Sequence, residues 1–190
     1  RSIDPKGPAR EAGFKVGDKI FVRLDTKSGG AARTHVAVNA SVAAKVPDGL
    51  TLEEAAAIPL AALTALQGLR DQGGMKMSDA SNCRVLIIGA SGGVGHFAVQ
   101  IAVAAGAHVT AVCGTANLEM VKRLGAHEVI DYRKQQGFKS TDGLPYDIVF
   151  DCIGQSSLDF KDTFAAVLTS DGVYVTPAPT GPLMLRLIQF

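Results

Sequence analysis

Residues 84–106, RVLIIGASGGVGHFAVQIAVAAG, constrain this chain more than any other stretch. Four glycines fall among seven residues, Gly89 to Gly95, between two apolar runs of different rhythm. The first run, VLII, is continuous, as in a strand buried on both faces. In the second, Val94, Phe97, Ala98, Ile101, Ala102 and Ala105 recur at helical spacing, and Gly106 stands where a C-cap glycine belongs. A buried strand must therefore turn sharply into a helix. Gly89 supplies backbone angles that a side chain forbids. Gly92 and Gly93 let a ligand approach the main chain, and Gly95 lets the new helix lie close to the sheet. The free amides and the positive dipole end of such a helix form an anion site, the geometry that holds a dinucleotide pyrophosphate. A Walker A loop is excluded, because His96-Phe97 stands where Lys then Ser or Thr is required. The bland alternative is a purely structural glycine turn.

The same rhythm continues downstream. HVTAVCG reads as a second strand, NLEMVKRLGA as a helix closed at Gly125, EVIDY as a third strand, YDIVFDCIG as a fourth and GVYVTPAP as a fifth. SLDFKDTFAAVL, between the last two, has helical spacing. Strands alternating with helices specify a doubly wound parallel α/β sheet of the Rossmann type. Upstream, Gly17-Asp18 makes a turn into a short strand in residues 13–24, and residues 34–47 alternate as a further strand would. Thr51 and Glu54 form a capping box, so a helix starts there. Pro59 lacks an amide proton and is expected to end or kink that helix, a second stretch following to Leu69. The polar, glycine-bearing residues 70–82 read as a surface loop.

Composition narrows the partners. The chain has 190 residues, 47% hydrophobic and 19% charged, with a net charge of +1. No basic run interleaves with aromatics, so nucleic acid and anionic membrane are not expected partners. No apolar stretch is long enough for a membrane span; PLMLRLIQF is short and broken by Arg186. Cys83, Cys113 and Cys152 are dispersed and no C-x-x-C occurs, which reads as core thiols in a reducing compartment rather than zinc ligands. No signal or transit peptide is visible, so the cytoplasm is expected, with an organelle open because residue 1 is Arg.

Four stretches, GFKVGDKIFV, VPDGLTLEEAAAIPLAALTALQGL, VLIIGASGGVGHFAVQIA and LGAHEVIDYR, resemble the medium-chain dehydrogenase/reductase superfamily, and within it the zinc-free quinone oxidoreductases and enone reductases. Short-chain dehydrogenases do not fit, because none of Tyr132, Tyr146 and Tyr174 has Lys four residues later. The resemblance implies a remnant of a GroES-like substrate domain in residues 1–48 and a Rossmann domain in residues 49–190. It also implies that both ends are truncated: much of the substrate domain, the sixth sheet strand and the closing segment are missing. The sixth strand commonly builds the homodimer in that family. The implied reaction is hydride transfer from NADPH to a quinone or an α,β-unsaturated carbonyl, without zinc. The alternative is a non-catalytic nucleotide-binding or structural protein that retains only the Rossmann unit.

The resemblance also assigns a cofactor site. Ser91, Gly92, Gly93, Val94 and Gly95 match the pyrophosphate loop. Gly114 and Thr115, with Ala116 and Asn117 after them, lie where the adenosine ribose should be. Tyr132 matches a Tyr beside the adenosine phosphate; its other reading is a rim residue with a packed ring and a wet hydroxyl. Cys152, Ile153 and Gly154 should wall the cleft, and Thr176 should lie near the nicotinamide carboxamide. Thr64 matches a Thr near the nicotinamide, or else bonds back to its own helix. Hydride transfer needs mainly proximity and orientation, so no catalytic acid or base and no metal ligand is named. NADP(H) is expected over NAD(H): an NAD-selective site places Asp or Glu about twenty residues past the first glycine. Gly114 and Thr115 stand there. Ala116 and Asn117 occupy positions where family members often carry Arg or Lys, leaving Tyr132, Lys122, Arg123 or Arg133 to meet a 2′-phosphate.

Overall fold

The computed structural model describes residues 9, 12–24, 34–154 and 163–177. The chain divides into two compact units, residues 1–60 and 61–190. In the first, β1 (Ile20–Val22) pairs antiparallel with β2 (Ala43–Lys45). The Gly17-Asp18 turn feeds β1 as read: the Lys15 amide donates to the Asp18 carboxylate at 2.9 Å. The alternating residues 34–47 yield a shorter strand than their pattern suggests. Asn39 caps a 3₁₀ turn at Ala40–Val42, its side chain accepting from the Ser41 amide at 3.0 Å, and only three residues remain to pair.

The helix α1 spans Leu52–Gln67. Its capping box forms: Thr51 N donates to Glu54 Oε2 at 2.9 Å and Glu54 N to Thr51 Oγ1 at 3.2 Å. Pro59 does not end it, which excludes one of the two outcomes expected there, an end or a kink. Proline removes one hydrogen bond and crowds the carbonyl four residues back. That carbonyl belongs to Ala55, and apart from Pro59 and Thr64 the helix is made of Ala, Leu, Ile, Glu and Gln, most of them strong helix formers, which carry it past the ring. The helix then closes through a π turn, Gly68–Gln72. Residues 70–82 are not all surface, a correction: Met75 and Ala80 are buried, and the Ala80 amide bonds the Ala105 carbonyl at 2.8 Å.

The second unit is built on a five-stranded parallel sheet ordered β5-β4-β3-β6-β7. Its strands are β3 (Arg84–Ile88), β4 (His108–Cys113), β5 (Glu128–Asp131), β6 (Tyr146–Asp151) and β7 (Leu168–Val175). Among the described residues two helices alternate with them, α2 (Gly95–Ala104) and the short α3 (Leu118–Arg123), and Gly106 and Gly125 end them as read. β7 starts earlier than GVYVTPAP suggests, at Leu168. The first half of the helical reading of residues 157–168, the last two residues of the strand reading GVYVTPAP and all of PLMLRLIQF (182–190) lie outside the described residues. This is the doubly wound α/β fold expected from the strand–helix alternation.

The strands are apolar because the sheet is covered on both faces. Val85 and Ile87 join one core with Leu69, Ala98, Val99 and Phe150; Leu86 and Ile88 join the other with Val112, Tyr146, Val149 and Phe164. Both sets are essentially fully buried. Alternation fixes which residues end each strand, and so which backbone atoms face the carboxyl edge. The chain winds outward from β3 one way to β5 and then the other way to β7, so the direction reverses beside β3. Among the described residues, no helix is long and apolar enough to cross a membrane.

Candidate functional site

A cleft of about 620 Å³ opens at that reversal, over the carboxyl ends of β3, β4 and β6. Its floor is apolar: Ile88, Val112 and Cys113 end their strands there. The glycine loop forms one wall. Gly89 adopts φ +73°, where a side chain is strained, and a Cβ there would also lie 2.9 Å from Ile153 Cγ1. Gly95 is buried, and a Cβ on it would strike the Gly89 carbonyl oxygen and lie 2.8 Å from Ala90 Cα. The close approach expected of Gly95 is made to the loop, at Gly89 and Ala90, rather than to the sheet. At Gly93 a Cβ would meet nothing within 4 Å. The amides of Gly93, Val94 and Gly95 have no backbone partner among the described residues. Orphan donors at the start of a ten-residue helix, with the helix dipole behind them, suit an anion. His96 turns away from this role, its Nδ1 donating to the Gly92 carbonyl at 3.0 Å.

The β4 and β5 ends form the second wall. Gly114, Ala116, Asn117, Tyr132 and Arg133 line it. Asn117 Nδ2 donates to Ser91 Oγ at 3.3 Å and joins this wall to the glycine loop. Tyr132 is exposed, and a Cβ on Gly114 would sit 3.5 Å from both its hydroxyl and Arg133 Nε. Thr115, a sequence candidate, does not line the cleft. Its hydroxyl donates to Asp131 Oδ2 at 2.6 Å, and Asp131 Oδ1 accepts from the Arg133 amide at 3.1 Å. The Thr115 hydroxyl first, and the Arg133 amide after it, hold the Asp131 carboxyl below its ordinary pKa, and burial opposes them.

Cys152 and Ile153 close the third side. Burial first, and the neighbouring Asp151 second, push the Cys152 thiol up to about 12. Burial likewise raises Cys113 and takes Cys83 to about 11. All three are thiols near neutral pH. Cys113 is buried and Cys83 and Cys152 are half-buried, so the reading of uniformly buried core thiols holds only for Cys113. Gly154 lies behind the wall, its amide donating to Asp151 Oδ1 at 3.2 Å. Asp151 is fully buried and also accepts from the Ile153 amide at 2.9 Å and the Tyr174 hydroxyl at 2.7 Å. It shapes the strand end. Thr176 is buried just past β7, and Thr64 lies in α1; neither lines this cleft.

Of fifteen sequence candidates, ten line one cleft: Ser91 to Val94, Gly114, Ala116, Asn117, Tyr132, Cys152 and Ile153. The sequence reading left Ile88, Gly89, Val112, Cys113 and Phe138 out of the site, and held Arg133 only as one of several cations. Strand-end residues were legible from the strand boundaries alone. Phe138 had one signal, a lone aromatic in the polar stretch RKQQGFKS, and it stacks on Phe164 with ring centroids 5.6 Å apart.

Residues 93–182 match the family model described as zinc-binding dehydrogenase. The chain is 41% identical over 171 residues to the chloroplast envelope quinone oxidoreductase homolog of Arabidopsis thaliana, a match that covers 87% of this chain and 51% of that protein. It is 36% identical over 179 residues to the mitochondrial NAD(P)H oxidoreductase RTN4IP1 of Homo sapiens, with 91% and 45% covered. Among solved structures, an alcohol dehydrogenase superfamily protein from Novosphingobium aromaticivorans superposes with a TM-score of 0.71 at 35% identity, over 88% of this chain and 50% of that one. The quinone oxidoreductase from Thermus thermophilus, solved also in complex with NADPH, superposes with a TM-score of 0.57 at 29% identity, over 79% and 48%. The chain spans about half the length of the curated relatives it matches.

Proposed function

The chain belongs to the medium-chain dehydrogenase/reductase superfamily, and on that premise we propose that it is the nucleotide-binding part of an NADPH-dependent oxidoreductase that reduces a quinone or an α,β-unsaturated carbonyl. One observation carries the reading: ten of the residues that the sequence assigned to a dinucleotide line a single cleft at the reversal of strand order, where open α/β sheets take their ligands. The cleft fits such a ligand. It has orphan amides for a pyrophosphate, an apolar floor for a ring, and an open backbone at Gly93.

The chain's own residues then divide the work. Ser91 to Val94 and the start of α2 hold the pyrophosphate. Gly114, Ala116 and Asn117 border the adenosine ribose, with the Tyr132 hydroxyl beside it. Cys152 and Ile153 confine the opposite side and exclude water. Thr64 and Thr176, outside the cleft, are the candidates for the nicotinamide end. The cofactor supplies a hydride when bound; the protein's contribution is proximity and alignment. Asp151 takes no part as a base, because its oxygens are bonded to the Ile153 and Gly154 amides and to Tyr174. Protons reach the reduced product from water.

We place the reaction outside zinc chemistry. That proposal follows the zinc-free members of the family that the sequence resembles, and among the described residues no three His, Cys, Asp or Glu stand together as a ligand set. The relatives named above as chloroplast and mitochondrial proteins make an organelle the first compartment to test. A homodimer remains the proposed assembly of the parent protein.

Titration of the chain with NADPH and NADH tests the nucleotide reading. Saturable one-to-one binding is expected, tighter for NADPH. Absence of binding by either would remove it and favour a structural protein. Quinone- or enone-dependent oxidation of NADPH, with metal content measured after dialysis, tests the chemistry. Activity that disappears on dialysis and returns with zinc would overturn the zinc-free mechanism.

A further inference from the structure

Arg133 is the only charged residue among the described residues that line the cleft. The two other cations that the sequence offered stand elsewhere. Lys122 pairs with Glu119 at 3.4 Å on the exposed side of α3, and Arg123 is not part of the lining. Arg133 is also held in place. Its amide is bonded to Asp131 Oδ1, and the other oxygen of that carboxylate is bonded to the Thr115 hydroxyl. Its guanidinium carbon lies 5.9 Å from the centroid of the Tyr132 ring. The wall opposite the guanidinium is bare: Gly114 has no side chain, and Arg133 Nε comes within 3.5 Å of the position a Cβ would take there.

Resting on the nucleotide reading above, we propose that Arg133 is the residue that selects a ribose 2′-phosphate, delivered from the end of β5 in place of a cation at the end of β4, and that Thr115 and Asp131 are the brace that positions it. A guanidinium matches a phosphate monoester with two parallel donors, and such charge-assisted bonds are among the strongest available to a side chain. The brace explains why a carboxylate can sit so near an anion site. Asp131 is 8% exposed, both its oxygens are used within the protein, and it does not line the cleft. Its effect on the ligand is through the turn it fixes. Gly114 and Ala116 leave the space that the guanidinium and the phosphate need.

The test compares 2′,5′-ADP with 5′-AMP, alongside NADPH and NADH, on the chain and its variants, by calorimetric titration with a thermal melt of each protein. The unaltered chain should bind 2′,5′-ADP at least tenfold tighter than 5′-AMP. Arg133→Ala should reduce that ratio about tenfold or more, with 5′-AMP changed less than twofold. Arg133→Lys keeps the charge and loses the fork, and should lose only part of the ratio. Asp131→Asn should lower the ratio three- to tenfold by loosening the turn, and Lys122→Ala should leave it unchanged. An unchanged ratio in Arg133→Ala overturns the proposal while the nucleotide reading stands, since NADPH and NADH still bind. A ratio lost in Lys122→Ala overturns it in favour of α3. If none of the four nucleotides binds the unaltered chain, both readings fall. Should Arg133→Ala not fold, the Lys variant decides: the full ratio retained without the fork overturns bidentate selection, and a partial loss supports it.

Discussion

At their amino ends the central strands begin with large polar residues, Arg84, His108, Glu128 and Tyr146; at their carboxyl ends they run out into Gly89, Gly114 and Gly154. The amino end ties many of its polar groups to one another. Arg84 Nη2 bonds Asp142 at 2.9 Å, the Arg84 amide bonds Asp147 at 2.8 Å, and Glu128 accepts from the amide and hydroxyl of Thr141 at 3.0 and 2.9 Å. His108 stacks on His127 at 4.7 Å. The carboxyl end does the reverse, leaving helix amides without partners around a cleft. One apolar middle supports both, so the difference lies in what each edge is for: the amino edge fastens the sheet, and the carboxyl edge presents backbone. Four buried side-chain atoms lack a hydrogen-bond partner among the described residues, Arg84 Nε, His108 Nδ1, Thr110 Oγ1 and Tyr146 OH, and all lie towards the amino edge. Fastening there is tight in volume and imperfect in polarity.

Substitutions at the two edges should therefore separate stability from binding. The largest effect is expected from Tyr146→Ala, which empties a fully buried ring site. Loss of about 3–5 kcal/mol in chemical denaturation should follow, while protein that remains folded binds NADPH within twofold of the original. Weakened binding at full stability would break the comparison. Next is Gly95→Ala, at the other edge. Its Cβ meets loop backbone that cannot yield, so about 1–3 kcal/mol of stability should go, together with at least tenfold in nucleotide affinity.

A smaller effect belongs to acid. Burial first, and Arg84 second, hold His108 below its ordinary pKa, so the folded chain resists a proton that the unfolded chain accepts. Stability should be steady above the unfolded pKa of about 6.5, fall as the pH drops through it, and level off below the folded value. Denaturation curves at pH 8 and pH 5 measure this, and His108→Gln should flatten the difference; an equal acid loss in that variant would assign it elsewhere. The smallest effect is Tyr146→Phe. It removes a buried hydroxyl that lacks a partner within hydrogen-bond distance, near the Thr110 and Ser140 hydroxyls, and should lower stability by no more than about 0.5 kcal/mol, a gain being expected as the desolvation of the unpaired group is relieved. A loss well above that would show that the hydroxyl is bonded in solution.

The carboxyl edge was far easier to read in the sequence than the amino edge, for physical reasons. Gly89, Gly92, Gly93 and Gly95 answer to local backbone geometry, and local geometry leaves a local pattern. The strand at residues 84–88 and the cap at Thr51 were legible for the same reason. Pro59 does not end its helix because the residues around it, mostly Ala, Leu, Glu and Gln, are strong helix formers, a sum over the whole element that a single proline does not outweigh. Met75 and Ala80 were hidden in a polar stretch, since their burial depends on β-strands far along the chain. Arg133 was visible as a cation, but only the turn at Asp131 shows which way it is carried. Thr115, read as a ribose contact, serves that turn instead, because a carboxylate sixteen residues away competes for its hydroxyl at 2.6 Å.

Gly93 has a consequence of a different kind. Its φ is not among the positive values, and a Cβ on it would touch nothing within 4 Å. Folding makes no demand for glycine there, unlike at Gly89 and Gly95, so a chain that drifted to alanine at 93 would remain as sound and as abundant in a cell as its ancestor. Its only loss would be room at the mouth of the cleft. Quality control, which senses unfolding, would be blind to that change. On the proposed nucleotide reading, it is the ligand and not the fold that asks for a bare position 93, a demand separate from any that folding makes.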